Sequence, residues 1–146
     1  VAPDAGGVER ERAFAKRLDV RMAIIDKRRT EENEARIMHV VGNVSGKNTV
    51  IIDDMVDRAG TVVEAIKGLK DNKAEDIYLG VVHPVFSDPA MERIEKSGLK
   101  EVVVTNTIPL RGDRPPDNIT VLSVAPLLGE AIKRTHSETS VSSLFV

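Results

Sequence analysis

The sequence predicts an α/β fold, a doubly wound and mostly parallel sheet, and three observations carry the prediction. Short β-branched runs such as Val50-Ile51-Ile52 alternate with stretches of helical periodicity along the 146 residues, and parallel strands need crossover connections of that kind. The acids Asp53, Asp54 and Asp57 follow one of these runs, at the strand end where open α/β sheets bind ligands. Hydrophobic residues make up 41% and charged residues 30%, the balance of a globular chain. A chain of this length forms one domain that buries roughly 70% of its unfolded surface.

Composition narrows the functional classes. A formal net charge of −2 and 3% aromatics give neither the basic footprint nor the stacking platform that nucleic acid requires. The absence of Cys excludes disulfides and thiolate metal sites. No apolar run approaches the roughly 20 residues of a membrane span, so the expectation is a soluble, cytoplasmic protein. The sequence opens on Val1-Ala2-Pro3 without a signal-peptide pattern and reads as a fragment.

The elements follow in order. Val1 to Gly7 reads as a strand end and a glycine turn, which places Asp4 at a strand terminus, where an aspartate before glycines ordinarily caps locally. Val8 to Leu18 carries helix formers, with Ala13, Phe14 and Arg17 on one face. Val20 to Asp26 reads as a strand, and the basic Lys27-Arg28-Arg29 and polar Thr30 to Glu34 as a mobile loop after it. Ile37 to Gly42 and Thr49 to Asp53 read as successive, paired strands. A helix from Thr61 to about Asn72, a strand Asp76 to Val82 and a helix from Ser87-Asp88-Pro89 to about Ser97 continue the alternation. Glu101 to Thr105 and Ile119 to Leu122 are further strands, separated by a proline-rich connection. A last helix starts near Ser123 and Pro126 and ends near His136, before an apolar tail.

The stretch Thr49 to Thr61 concentrates the chemistry. A buried strand ends at Asp53, and Asp57-Arg58-Ala59-Gly60-Thr61 turns into a helix, with Gly60 free to take a positive φ. That geometry presents unpaired N–H groups and the positive end of a helix dipole, which suit a phosphate. Carboxylates beside them accept hydrogen bonds from sugar hydroxyls. Acids at a strand end serve elsewhere as caps or solvated turn residues; the apolar run and the Gly60-Thr61 turn favour the ligand reading here. A short basic run such as Lys27 to Arg29 is either a solvated face or electrostatic support for a transferring phosphoryl group. His39, His83 and His136 are too scattered for a ligand motif.

The stretch D-D-M-V-D-R-A-G-T resembles the phosphoribosyl-pyrophosphate-binding signature of type I phosphoribosyltransferase folds, and ribose-phosphate pyrophosphokinases in particular. Further segments share the resemblance: V-A-P-D-A-G-G, I-I-D-K-R-R, V-T-N-T-I-P-L and S-V-S-S-L-F. It implies one phosphoribosyltransferase-like domain over residues 1–146, similar to the C-terminal half of those enzymes, with the N-terminal half and most ATP-binding residues absent. It implies that Asp4 helps to hold Mg2+ and that Lys27 and Arg29 act on the transferring group. It further implies that Arg29, Asp53, Asp54, Asp57, Arg58, Ala59, Gly60 and Thr61 bind ribose 5-phosphate. Many such loops carry Pro where this chain has Thr30, and the family's cradle most often has Thr where this chain has Arg58.

The activity implied is diphosphoryl transfer from MgATP to ribose 5-phosphate, giving phosphoribosyl pyrophosphate and AMP, in a homo-oligomer. Two other classes stay open: a phosphoribosyltransferase using the same cradle, against which the K-R-R loop speaks, and a non-catalytic sugar-phosphate-binding module.

Overall fold

The computed structural model describes residues 1–28, 37–111 and 116–145. The opening residues lie between two sheets and join them. Ala2 N–H donates to the Ala23 carbonyl, and Ile25 N–H donates to the Ala2 carbonyl, both at 3.0 Å, while the Val1 amino group donates to the Val50 carbonyl at 2.6 Å. A 3-10 turn over Ala5–Gly7 follows, capped by Asp4, whose Oδ1 accepts from Gly7 N–H at 3.0 Å. Helix α1 spans Val8–Leu18 and stops where Asp19 turns left-handed, at φ 51°.

Strand β1 spans Ile24–Arg28 and pairs antiparallel with β2, Ile37–Val41, so that Ile24 faces Val41 and Arg28 faces Ile37. This corrects the expected pairing of 37–42 with 49–53. Strand β3, Thr49–Val56, has one edge in its ladder with β4 and the other touched by Val1, which leaves none for β2. It also moves Lys27 out of the expected loop, because the ladder extends β1 past Asp26 and sets Lys27 opposite Met38. Arg29 and the segment 29–36 lie outside the described residues.

The main sheet is four-stranded and parallel, in the order β3, β4 (Ile77–Pro84), β5 (Glu101–Thr105), β6 (Ile119–Leu122). Helix α2, Gly60–Asp71, connects β3 to β4, and α3, Ala90–Lys96, connects β4 to β5. Crossovers of this length are what parallel neighbours demand, so the expected mixed α/β fold is present. Helix α4, Ala125–His136, follows β6, and a 3-10 turn over Ser142–Leu144 ends the described chain. There Arg17 Nη2 on α1 donates to the Phe145 carbonyl at 2.6 Å.

The core lies where α2 and α3 cover the parallel sheet. Val62, Ala65, Ile66 and Leu69 recur at helical spacing on one face of α2 and are all buried. They pack with Ile51, Ile77, Leu79, Ile94, Val102 and Val104, each almost completely withdrawn from solvent. Burying side chains of this size is worth about 1.5 to 3 kcal/mol apiece. Val50 stays 43% exposed, so β3 is not covered on both faces at its start as its β-branched run predicts.

Helix α1 is anchored differently from its expected face. Phe14 is 43% exposed and Ala13 is exposed; the side chain α1 buries is that of Glu11, at 3%. Its carboxylate accepts from Ile52 N–H at 3.2 Å and from the Val1 amino group at 3.2 Å. Desolvation raises the Glu11 pKa above its ordinary 4.5, with the amino group opposing that rise. Among the described residues, no helix is long and apolar enough to cross a membrane.

Candidate functional site

Strand β3 carries the acids and α2 carries the amides, and the turn between them is where local chain geometry decides the site. The strand does not end at Asp53 as expected. Met55 and Val56 continue the ladder opposite His83 and Pro84, and Val56 is buried, so Asp53 and Asp54 lie within the strand. The turn is therefore confined to Asp57, Arg58 and Ala59, between the end of β3 and the start of α2.

The residue with positive φ is Ala59, at φ 57° and ψ 11°, and not Gly60, which opens the helix. Left-handed backbone costs an L-residue roughly 1 to 2 kcal/mol. Ala59 is held there by its own burial, at 4% exposure, and by a helical hydrogen bond from Val63 N–H to its carbonyl at 3.0 Å. The helix start has no side-chain cap. The first amides of α2 thus lack intrahelical partners and border the cavity described next, with the positive end of the helix dipole beside them.

A concavity of ≈ 550 Å³ collects the site. Asp4, Asp53, Asp57, Arg58, Ala59, Gly60 and Thr61 all line it, so the structure brings together most of the residues that the sequence marked, from two distant parts of the chain. Asp4 caps the first turn, as an aspartate before glycines is expected to, and it also borders the cavity. Asp54 is not in the lining; its side chain is 65% exposed and meets Arg10. Lys27 has a described backbone in β1, and Arg29 lies outside the described residues.

Patterning missed two cations and three apolar lining residues. Arg10 Nη1 lies 3.3 Å from Asp53 Oδ1 and 3.2 Å from Asp54 Oδ1. Arg93, on α3, lines the cavity and donates from Nη1 to the Arg58 carbonyl at 2.9 Å. Met55, Val56 and Val62 complete the lining. No spacing in the sequence signals either arginine, because both reach the site through tertiary packing.

The two adjacent carboxylates divide their charge unequally. Desolvation raises the Asp53 pKa, and its neighbour Asp54 adds to the rise. Asp54 is lowered, chiefly by its hydrogen bond with Asp53 and then by Arg10. Neighbouring carboxylates titrate as a pair, and here the half-buried Asp53 is the one that keeps a proton longer. Asp54 N–H donates to Asp53 Oδ1 at 2.9 Å, which fixes the inner carboxylate.

A second concavity between α1 and the start of β3 is bordered by Phe14, Leu18, Val20 and Val50. Its walls are mainly apolar and carry no group of acids, so the polar chemistry points to the cavity at Asp57 to Thr61. Among the described residues no three His, Cys, Asp or Glu side chains form a ready metal cage.

The family model described as phosphoribosyl synthetase-associated domain matches residues 29–146. The chain belongs to that family. As a phosphoribosyl synthetase-associated domain it is 52% identical over 147 residues to a ribose-phosphate pyrophosphokinase of Synechococcus elongatus, covering 99% of this chain and 44% of the relative. It is 54% identical to a protein of the same name from Listeria ivanovii, covering 99% of this chain and 46% of the relative. The fold matches a crystal structure of phosphoribosylpyrophosphate synthetase from Mycobacterium smegmatis with a TM-score of 0.85 at 38% identity, over 94% of this chain and 44% of that one. The phosphoribosyl synthetase-associated domain chain thus spans less than half the length of the curated relatives it matches.

Proposed function

We propose that this chain is the ribose 5-phosphate-binding part of a ribose-phosphate pyrophosphokinase, corresponding to the second of two similar halves. The observation that carries the reading is the meeting of Asp4, Asp53 and the Asp57 to Thr61 turn around one cavity at an uncapped helix start. Amides and helix dipole suit the 5-phosphate. Asp53 and Asp57 suit the ribose hydroxyls, to which a carboxylate offers acceptors alone.

In the proposed reaction the anomeric oxygen of ribose 5-phosphate attacks the β-phosphorus of ATP. The bond from that phosphorus to the oxygen bridging it to the α-phosphorus breaks, AMP leaves with the electron pair, and the hydroxyl proton is released. Catalysis of such a transfer is mostly positioning and charge neutralisation. Lys27 and Arg29 are assigned to the transferring group. Mg2+ binds through one or two carboxylates plus substrate phosphates; Asp4 fits as its protein ligand, since this acid borders the cavity, and the ion would neutralise phosphate charge there. The ATP-binding residues, homo-oligomeric assembly and cytoplasmic location belong to the same proposal and concern the longer protein.

Calorimetry tests the reading. Ribose 5-phosphate should bind the chain and ribose should bind much more weakly; equal affinities would remove the phosphate cradle. AMP formation from ATP and ribose 5-phosphate should require the remainder of the enzyme. Robust turnover by residues 1–146 alone would overturn the division of labour.

A further inference from the structure

Arg93 stands outside everything assigned so far. It is exposed on α3, whose Ala90 and Ile94 are buried in the core and hold the helix beside α2. Its Nη1 donates to the Arg58 carbonyl at 2.9 Å and lies 3.7 Å from where a Cβ on Gly60 would be, so the guanidinium rests against the first turn of α2. In the other direction, Arg58 Nε donates to the Asp88 carbonyl at 3.2 Å, just before α3. Two arginines therefore tie the 57–59 turn to the segment entering α3, and both border the cavity.

The turn they fix is the strained one. Ala59 holds a left-handed backbone that favours glycine, and the peptide whose carbonyl Arg93 grips is the one joining Arg58 to Ala59. A charge-assisted hydrogen bond to that carbonyl restrains the peptide plane and with it the direction of the α2 amides. A guanidinium has five N–H donors in a fixed fork, and Arg93 has no salt-bridge partner among the described residues. It stands without an ion-pair contact at the edge of a cavity that Asp4, Asp53 and Asp57 also line, and whose other cation, Arg58, donates to a backbone carbonyl.

We infer that Arg93 is a positioning residue for the phosphate group: it locks the Arg58 to Ala59 peptide so that the α2 amides converge, and adds positive charge beside them. The inference rests on the sugar-phosphate reading given above and assigns α3 a part in it. Lys cannot reproduce the planar fork at such a position.

The test is calorimetry on the 146-residue chain with ribose 5-phosphate and with ribose, for wild type, Arg93→Ala and Arg93→Lys, at low and high salt, alongside thermal melts. Arg93→Ala should lose about tenfold or more in ribose 5-phosphate affinity while ribose affinity stays unchanged, the split that general loosening of the fold does not produce. Arg93→Lys should fall between the two proteins, and the gap between Arg93→Ala and wild type should narrow at high salt. If wild type does not distinguish ribose 5-phosphate from ribose, the sugar-phosphate reading itself fails. If wild type does distinguish them and Arg93→Ala binds ribose 5-phosphate within about twofold of it, the role of Arg93 alone is overturned. Should Arg93→Ala fail to fold, Arg93→Gln is measured against the same criterion.

Discussion

The guanidinium of Arg10, on the first helix, lies 3.3 Å from the carboxylate of Asp53, on the strand that leads to the candidate phosphate turn. The same nitrogen reaches Asp54 at 3.2 Å, so one cation spans both acids and partly neutralises a pair that would otherwise repel. Asp53 is only 20% exposed at its side chain, which makes this contact worth more than a surface pair.

Arg10→Gln should cost about 1 kcal/mol at neutral pH, in the upper part of the range for partly exposed pairs, and move Asp53 titration further upward. Asp53 has a raised folded pKa, so its ionisation removes stability as pH rises through that value; Asp54 has a lowered one and contributes stability that is lost as pH falls through it. Arg10 opposes the first effect and supports the second, so the gap between wild type and variant should widen from acid to neutral pH. Urea unfolding across that range checks it, and a constant gap would contradict the ion-pair account.

Glu11 gives a second pH signature. Its folded pKa is raised above 4.5, mainly by desolvation, so wild type carries no ionisation penalty below 4.5 and acquires one as pH rises through the folded value. Glu11→Gln keeps an acceptor for Ile52 N–H and cannot ionise. The variant should therefore gain stability relative to wild type as pH rises through that window, read as a melting-temperature difference that grows with pH.

At Ala59 the backbone itself can be tested. Ala59→Val places a β-branched side chain at φ 57°, where such residues are outliers, and should cost about 2 kcal/mol or more. Ala59→Gly relieves the left-handed strain and loses one buried methyl, two effects of about 1 kcal/mol that nearly cancel. Chemical denaturation showing equal stability for the Val and Gly variants would contradict the observed turn geometry.

Arg58→Thr removes a cavity-lining cation whose Nε is engaged on the Asp88 carbonyl. Since backbone amides provide most of the cradle, ribose 5-phosphate binding should survive, weakened by up to about tenfold at low salt and less at high salt. Identical calorimetric affinities at both salt concentrations would show that Arg58 neither helps nor obstructs.

What the sequence determined by itself was local. Alternating apolar periodicities gave the parallel α/β arrangement, and the strands Glu101–Thr105 and Ile119–Leu122 coincide with their expected limits, because short β-branched runs bounded by turn residues leave little freedom. The acids and the Asp57 to Thr61 turn were legible for the same reason: a strand end, a turn and a helix start are encoded within a dozen residues. Tertiary structure decided the rest. Strand β2 turned back on β1 because both edges of β3 were already engaged by β4 and Val1. The positive φ fell on Ala59 because the β3 ladder runs on to Val56 and α2 already begins at Gly60, which leaves Ala59 as the last residue of a three-residue turn. Arg10 and Arg93 came to the site, and Glu11 to the backbone of β3, from helices whose approach to β3 and α2 is set by long-range packing. Nothing in their neighbouring residues carries that information, since a side chain's partner across the core depends on how whole elements pack and not on the local pattern in which it sits.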